Sequence, residues 1–340
     1  MIHEWGHFYA ARRLGVRVEE FGFGFPPRIF SRIKKGVRYS LNLLPFGGFV
    51  KIFGEHGEGE GERASFTSRP AWQRFVILAA GVGMNFVLAW LLFSFGAAIG
   101  VPAAEDEKNS AAPVSIIDIA SNSPAAAAGL RFGDEIIELR APEVTLRIIS
   151  EKDVRDFVDA YRGEEIILVV RRSKETREVA LTPRASFPPG EGPIGIAMAR
   201  LVIRRVPWYR APWDGALAVA ESTRAIVFGF GSVIRDLATH GKTAMAISGP
   251  VGIFFFAHDT FGLGAAYIMQ FAAMLSINLA ILNFLPIPAL DGGRVLFLLI
   301  EKAKGRKINP RVENIIHGIG FALLLFLMVL VTYRDIVKIF

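Results

Sequence analysis

The sequence predicts a multi-pass α-helical membrane protein with an α+β domain inserted on the extracytoplasmic side and a membrane-associated β-hairpin. Three observations predict it. Of the 340 residues 52% are hydrophobic, above what soluble domains carry. Three long runs are almost free of charge, and between the first two of them charges return among short strand-like apolar runs. The 39 Lys and Arg exceed the 32 Asp and Glu by 7, and the excess is unevenly spread. There is no cysteine, so disulfides, thiolate ligands and a cysteine nucleophile are excluded, and any metal must be held by His, Asp or Glu.

In chain order, residues 1–14 form a helix from Ile2 to about Leu14 that carries "HEWGH" and is too short to cross a bilayer. Its basic residues follow the apolar start instead of preceding it, unlike a secretory signal. Residues 15–74 read as a loop containing the hairpin "YSLNLLPFGGFVKIFGE" at 39–55, interrupted by Gly47 and Gly48. Residues 75–104 are uncharged and exceed the roughly 20 residues a membrane helix needs. Residues 105–200 read as an aqueous domain: "PVSIIDI", "EEIILVVRR" and "KETREVALTP" suit strands, and "EKDVRDFVDAYRG" suits a helix closed by Gly163. "SPAAAAGLRFGDEIIEL" at 123–139 resembles the helix, Gly-Asp turn and strand of PDZ domains in bacterial proteases, and "SFPPGEGPIG" reads as a Pro/Gly linker. Within 201–259, the stretch 215–234 contains Glu221 and Arg224 and reads as amphipathic or partly inserted. Residues 260–300 form a second membrane segment, 301–314 a loop and 315–332 a last span whose one polar side chain near its start is His317.

Basic residues in short loops mark the cytoplasmic side. The loop 12–74 contains Arg12, Arg28, Lys34, Lys35 and Lys51 among others, and the loop 301–314 contains Lys302, Lys304, Arg306, Lys307 and Arg311. Both belong inside, which puts the α+β domain and the C-terminus outside. The basic residues follow membrane topology and show no aromatic-interleaved surface, so the partner is the lipid bilayer and not nucleic acid.

His3 and His7 stand four apart, on one face of a helix, where two imidazoles can hold one zinc while Glu4 reaches a water beside it. That is the chemistry of a hydrolase, with Glu4 moving the proton. The same spacing also arises by chance, so a third ligand is needed. Asp291, in "NFLPIPALDGGRVLF", ends an uncharged run of about thirty residues, and an unpaired carboxylate in a bilayer costs at least about 2.5 kcal/mol. It reads either as that ligand or as the N-cap of a helix through "RVLFLLIEK". Pro286 and Pro288 each remove an amide donor and break the helix; Asn283, one turn earlier, carries an amide able to bond an exposed peptide group. A proline kink in a structural span is the plainer alternative. A protease must unwind a substrate helix, and the strand edge around Gly47 and Gly48 offers replacement bonds by β-augmentation, although an ordinary hairpin fits the same residues.

HEWGH, "PFGGFVKIFGE", "WQRFVILAAGVGMNFVLAW", the PDZ-like segment, "ISGPVGI" and "NFLPIPALDGG" occur in an order that resembles the site-2 protease family of intramembrane zinc metalloproteases, in particular its bacterial RseP-type branch. The resemblance implies that His3, His7 and Asp291 bind Zn2+, that Glu4 is the general base, and that Asn283 with the Pro286 and Pro288 break positions unwound substrate. It further implies the cytoplasmic membrane of a bacterium, and a single-span membrane protein as substrate, shortened by a first protease: an anti-sigma factor or a remnant signal peptide. Three departures stand out. Only Met1 and Ile2 precede HEWGH where the family has about ten or more apolar residues, so a start further upstream is expected. Gly81-Val82 replaces the family's Gly-Pro, and there is one PDZ-like segment where some relatives have two. Two other readings compete: a catalytically silent PDZ membrane scaffold with an incomplete first span, and a transporter using Asp291 as an ion site, which leaves HEWGH unexplained.

Overall fold

A computed structural model describes the chain apart from residues 56, 60, 105–111, 121, 173–174, 189–190, 241–248, 262–263 and 340. The chain divides into two compact units, one of Met1–Ser94, Pro212–Ile253 and Ala272–Phe340, the other of Phe95–Ala211 and Phe254–Phe271.

The first unit begins with α1 (Ile2–Arg13), whose acidic first turn at Glu4 and basic last turn at Arg12 and Arg13 suit the helix dipole. β1 (Val18–Lys34) and β2 (Val37–Ile52) follow. Both arms of the hairpin expected at 39–55 pair with β1. Residues 18–23 pair with 48–52 in antiparallel register and, on their other side, with 38–41 running in the same sense, while 28–34 pair with 37–42. The first half of β1 alternates into the core, but from Phe25 onward every residue is exposed, including Ile29, Phe30 and Ile33. The unit also holds most of α2 (Ala71–Ile99), α5 (Ala211–His240), α8 (Asp291–Lys304) and α9 (Pro310–Ile339), and it shares α6 (Pro250–Phe261) and α7 (Ala265–Phe284) with the second unit. Ala11, Val18, Ile52, Ile77 and Leu298 join α1, the sheet, α2 and α8 in one core, and Ala89, Phe93, Ala273 and Ile277 join α2 to α7 in another.

Among the described residues four helices are long and apolar enough to cross a membrane: Ala71–Ile99, Ala211–Asp236, Ala265–Phe284 and Pro310–Val337. The second contains the stretch 215–234, read as amphipathic or partly inserted, and by length and composition it can cross. Glu221 and Arg224 lie three apart, on one side of a 30-residue helix whose other charges, Asp214, Arg235 and Asp236, lie towards its ends, and the stretch between stays apolar enough for a crossing segment. The segment 260–300 is not one helix: α7 stops at Phe284, and α8 starts at Asp291.

The second unit is built on an antiparallel sheet in the order β3-β9-β4-β5-β7-β8, with β6 paired to β5. These strands are β3 (Val101–Ala104), β4 (Val114–Ile119), β5 (Glu135–Ala141), β6 (Val144–Arg147), β7 (Ile166–Arg172), β8 (Glu175–Leu181) and β9 (Ile196–Arg204). α3 (Pro124–Ala127) and α4 (Glu151–Ala160) complete it. Ile116, Leu139, Ile166, Leu168 and Val170 are its fully buried centre. In the Gly-Asp turn Asp134 is fully buried and takes two bonds of 2.7 Å from Arg172 and one of 2.9 Å from the amide of Arg131.

Two sequence boundaries shift. α2 ends at Ile99 and Val101–Ala104 is a strand, because an uncharged apolar run reads alike as membrane helix or buried strand. The Pro/Gly stretch is no linker: Ile194 is buried in the core, the Arg184 amide bonds the Pro193 carbonyl, and the chain continues into β9 between β3 and β4. The first two residues of "ISGPVGI" and the expected boundary at 105 lie outside the described residues.

α4 starts with a capping box, in which the Ser150 hydroxyl accepts from the Asp153 amide and the Asp153 carboxylate accepts from the amide of Ser150. Burial opposes the Asp153 carboxylate, but the bonds from the Ile149 and Ser150 amides outweigh it and hold its pKa below the usual carboxylate value. A depressed folded-state pKa stabilises at pH values above the unfolded one, about 3.9, and that contribution fades as pH falls through the folded pKa. Ser150→Ala therefore lowers the unfolding free energy at pH 7 by about 1 kcal/mol. Asp153→Asn is likewise less stable than the native chain at pH 7, and thermal unfolding across pH shows the gap closing in acid.

Candidate metal centre

α1 and α2 approach closely at Gly6. A Cβ on Gly6 would strike the backbone carbonyl of Ala80 and come within 2.8 Å of Met84, so only glycine in the middle of HEWGH permits this approach. The crossing sets both histidines against α2. His7 is buried, and its Nδ1 lies 2.8 Å from the Ile77 carbonyl. A carbonyl only accepts, so Nδ1 carries the hydrogen and the neutral ring turns the lone pair of Nε2 inward. The Nε2 atoms of His3 and His7 are 3.1 Å apart and the rings stand edge to face.

Asp291 arrives from a broken helix. α7 ends with Asn283 and Phe284, and the chain turns through 285–290, where Pro286 and Pro288 have no amide hydrogen. The amides of Leu285, Ile287 and Leu290 bond the carbonyls of Leu282, Leu285 and Ile287, and α8 then begins. Asp291 is its first residue, not its N-cap: the cap position is Leu290, and no side-chain cap bond is made. The carboxylate meets the histidines instead, with Oδ2 2.9 Å from His3 Nε2 and 3.2 Å from His7 Nε2. Gly292 makes this turn possible, since a Cβ there would meet the carbonyls of Phe284 and Leu285.

Three ligand atoms, one from each of His3, His7 and Asp291, thus lie within 4.8 Å of one another. Asp291 Oδ2 is buried and takes no hydrogen bond, although two imidazole nitrogens face it. With neither Nε2 protonated, two nitrogen lone pairs and a carboxylate oxygen directed at one point repel unless a cation lies among them. Two imidazoles and one carboxylate are the ligand set of catalytic zinc sites, so the residues fit zinc. Glu4, on the first turn of α1, is partly buried and close enough to interact electrostatically with His7, His3 and Asp291.

The remaining sequence candidates are distributed around this centre. The Asn283 amide nitrogen is 3.4 Å from His3 Nε2. Pro286 and Pro288 form the break before Asp291. Gly48 packs against Met1, two residues before His3, while Gly47 faces the ring of Phe25, 3.6 Å from where its Cβ would be. Sequence reasoning missed two residues. Asn85 is buried on α2, its amide 3.5 Å from His3 Nδ1, and an amide can present a carbonyl oxygen to that nitrogen when Nε2 holds a metal. Gly81, one turn earlier, forms a wall of the site, since a Cβ there would meet His7 Nε2 and lie 2.8 Å from His3 Cε1. The available signal was a lone amide side chain within an uncharged span, four residues after a glycine.

The profile of peptidase family M50 matches residues 1–327. The regulator of sigma-W protease RasP of Bacillus subtilis is 30% identical over 425 aligned residues, which cover 100% of this chain and 96% of that protein. The zinc metalloprotease RasP of Geobacillus kaustophilus is 30% identical over 423, covering 100% and 95%. A solved PDZ domain of an SdrC-like protein from Listeria monocytogenes is similar at 20% identity and a TM-score of 0.23, covering 27% of this chain and 92% of that one.

Gly81→Val fills the ligand space, and metal analysis of the purified variant shows zinc far below the native content while its helical circular dichroism is kept. Asn85→Leu keeps the space but removes the polar partner of His3, and chelator competition shows zinc affinity reduced on the order of 10- to 100-fold.

Proposed function

The chain belongs to peptidase family M50 and is a zinc metalloprotease of the site-2 type, an integral membrane enzyme; from that premise we propose that it cleaves single-span membrane proteins within the bilayer near its cytoplasmic face. The observation that carries the reading is the convergence of His3 Nε2, His7 Nε2 and Asp291 Oδ2, with Glu4 on the same helix as both histidines.

In this reading His3, His7 and Asp291 hold the zinc. When bound, zinc acidifies water and polarises the scissile carbonyl. Glu4 takes the proton of the attacking water on its carboxylate and delivers it to the departing amine nitrogen, so the carboxylate is regenerated each cycle. The Nδ1 bond from His7 to the Ile77 carbonyl holds the ring in one tautomer and orientation. An intact substrate helix keeps its amides bonded internally, and the enzyme must replace those bonds. Two features support this role. Residues 48–52 pair with 18–23 on one side, and among the described residues no strand pairs with their other edge, where an extended peptide would add beside Gly47 and Gly48. The 285–290 break, with Asn283, Pro286 and Pro288, presents irregular backbone next to the ligands. The exposed apolar end of the sheet, with Phe25, Ile29 and Phe30, supports its association with lipid.

The second unit is read as an extracytoplasmic PDZ-like domain that admits substrates already shortened by a first protease. A groove between α4 and β9, lined by Val154, Val158, Ile196 and Met198 with Arg155 and Arg162, supports a peptide-binding role. A bacterial cytoplasmic membrane is supported by the basic loops 12–74 and 301–314. An anti-sigma factor is the favoured substrate, in line with a relative named a regulator of sigma-W protease, and a remnant signal peptide is the next.

Glu4→Gln tests the assignment: the detergent-purified variant retains zinc but cleaves a model single-span substrate at least about 100-fold more slowly than the native chain. Undiminished cleavage would refute the role of Glu4.

A further inference from the structure

The loop 285–290 that delivers Asp291 has few internal bonds. Pro286 and Pro288 have no amide hydrogen, and those of Leu285, Ile287 and Leu290 are taken by carbonyls within α7 or the loop itself. The remaining amide, of Ala289, donates instead to a side chain on another helix: its nitrogen lies 2.8 Å from Nδ1 of His317 on α9. Ala289 is also the residue whose backbone most needs holding. Its φ is +81°, a left-handed conformation that disfavours any side chain, and it stands two residues before Asp291.

The surroundings of His317 fit a clamp on this loop. One turn along α9, Gly320 is pressed against it, since a Cβ there would lie 2.6 Å from Pro288 Cβ and 2.7 Å from its carbonyl oxygen. Phe297 of α8 stacks obliquely on the imidazole, with ring centroids 5.5 Å apart. The imidazole thus touches the loop before Asp291 and the helix after it. Because an amide N–H can only donate, Nδ1 must present a lone pair, which puts the hydrogen of the neutral ring on Nε2.

We infer that His317 is a positioning residue for Asp291: as a hydrogen-bond acceptor for the Ala289 amide it fixes the left-handed turn that aims the carboxylate at His3 and His7. The inference rests on the assignment of Asp291 as a zinc ligand. It gives the polar side chain of the last span a function at a distance from the metal, without contact to zinc or substrate.

The test measures zinc affinity by chelator competition, with cleavage of a model single-span substrate, on the full chain in detergent for the native protein, His317→Leu, His317→Asn and Asp291→Ala. Asparagine places a carbonyl oxygen near the position of Nδ1, whereas leucine offers no acceptor. The expected result is a loss of zinc affinity on the order of 10- to 100-fold in His317→Leu, a parallel loss of cleavage, and recovery of most of both in His317→Asn. Equal losses in His317→Leu and His317→Asn overturn the acceptor role, because ring bulk would then be what matters. Native affinity and cleavage in His317→Leu, with affinity lost in Asp291→Ala, overturn the inference about His317 alone. Native affinity in Asp291→Ala overturns the ligand assignment and this inference with it.

Discussion

The structure depends on bringing one carboxylate oxygen to two imidazole nitrogens among the packed helices of the first unit. Asp291 Oδ2 stands 2.9 and 3.2 Å from His3 and His7 Nε2, and a charge in such surroundings persists only if it is compensated. The compensation sets the packing. Helix axes must come close enough for short side chains to meet, so the contacts nearest the site are made by residues without side chains: Gly6 against Ala80, Gly81 against both imidazoles, Gly292 against the last carbonyls of α7. Larger residues would separate the helices and move the ligands apart.

Ion pairs fix α8 near both of its ends. Arg294, three residues after Asp291, bonds Glu55 beyond the end of β2, while Arg74 at the start of α2 lies 2.6 Å from Glu301, both side chains 11% exposed. Partly buried pairs of this kind add little net stability over apolar replacements, yet loss of one partner is strongly destabilising. Their effect is to fix which groups face each other. α8 is thereby tied to α2 and to the chain leaving the sheet, so the strand beside α1 and the helix that carries Asp291 share one framework.

What the sequence made legible follows from the range of each interaction. His3, Glu4 and His7 lie within one turn and a half of helix, so their common face is a property of spacing alone. Asp291 could be singled out as a carboxylate at the end of an apolar run, but not placed: its choice between N-cap and ligand depended on where α7 breaks. Asn85, Gly81 and His317 act across helices: a lone amide four residues after a glycine marks a polar position in the span, but not the histidine it faces. The same limit governed the sheets. Residues 39–55 read as a local hairpin, while the pairing of 18–23 with both 38–41 and 48–52 is non-local. β9 looked like the sequel to a linker because its partners β3 and β4 lie about 80 to 100 residues earlier. Val101–Ala104 was absorbed into the preceding span because hydropathy does not distinguish a buried strand from a membrane helix.

Zinc held between His3, His7 and Asp291 has a defined X-ray absorption spectrum at the zinc edge. The native protein should show a first shell of nitrogen and oxygen at about 2.0–2.2 Å with the outer-shell scattering of two imidazoles. The carboxylate contribution should disappear in whatever zinc Asp291→Ala retains. A spectrum with one imidazole or none, or one unchanged by that substitution, would mean that these three residues do not hold the zinc.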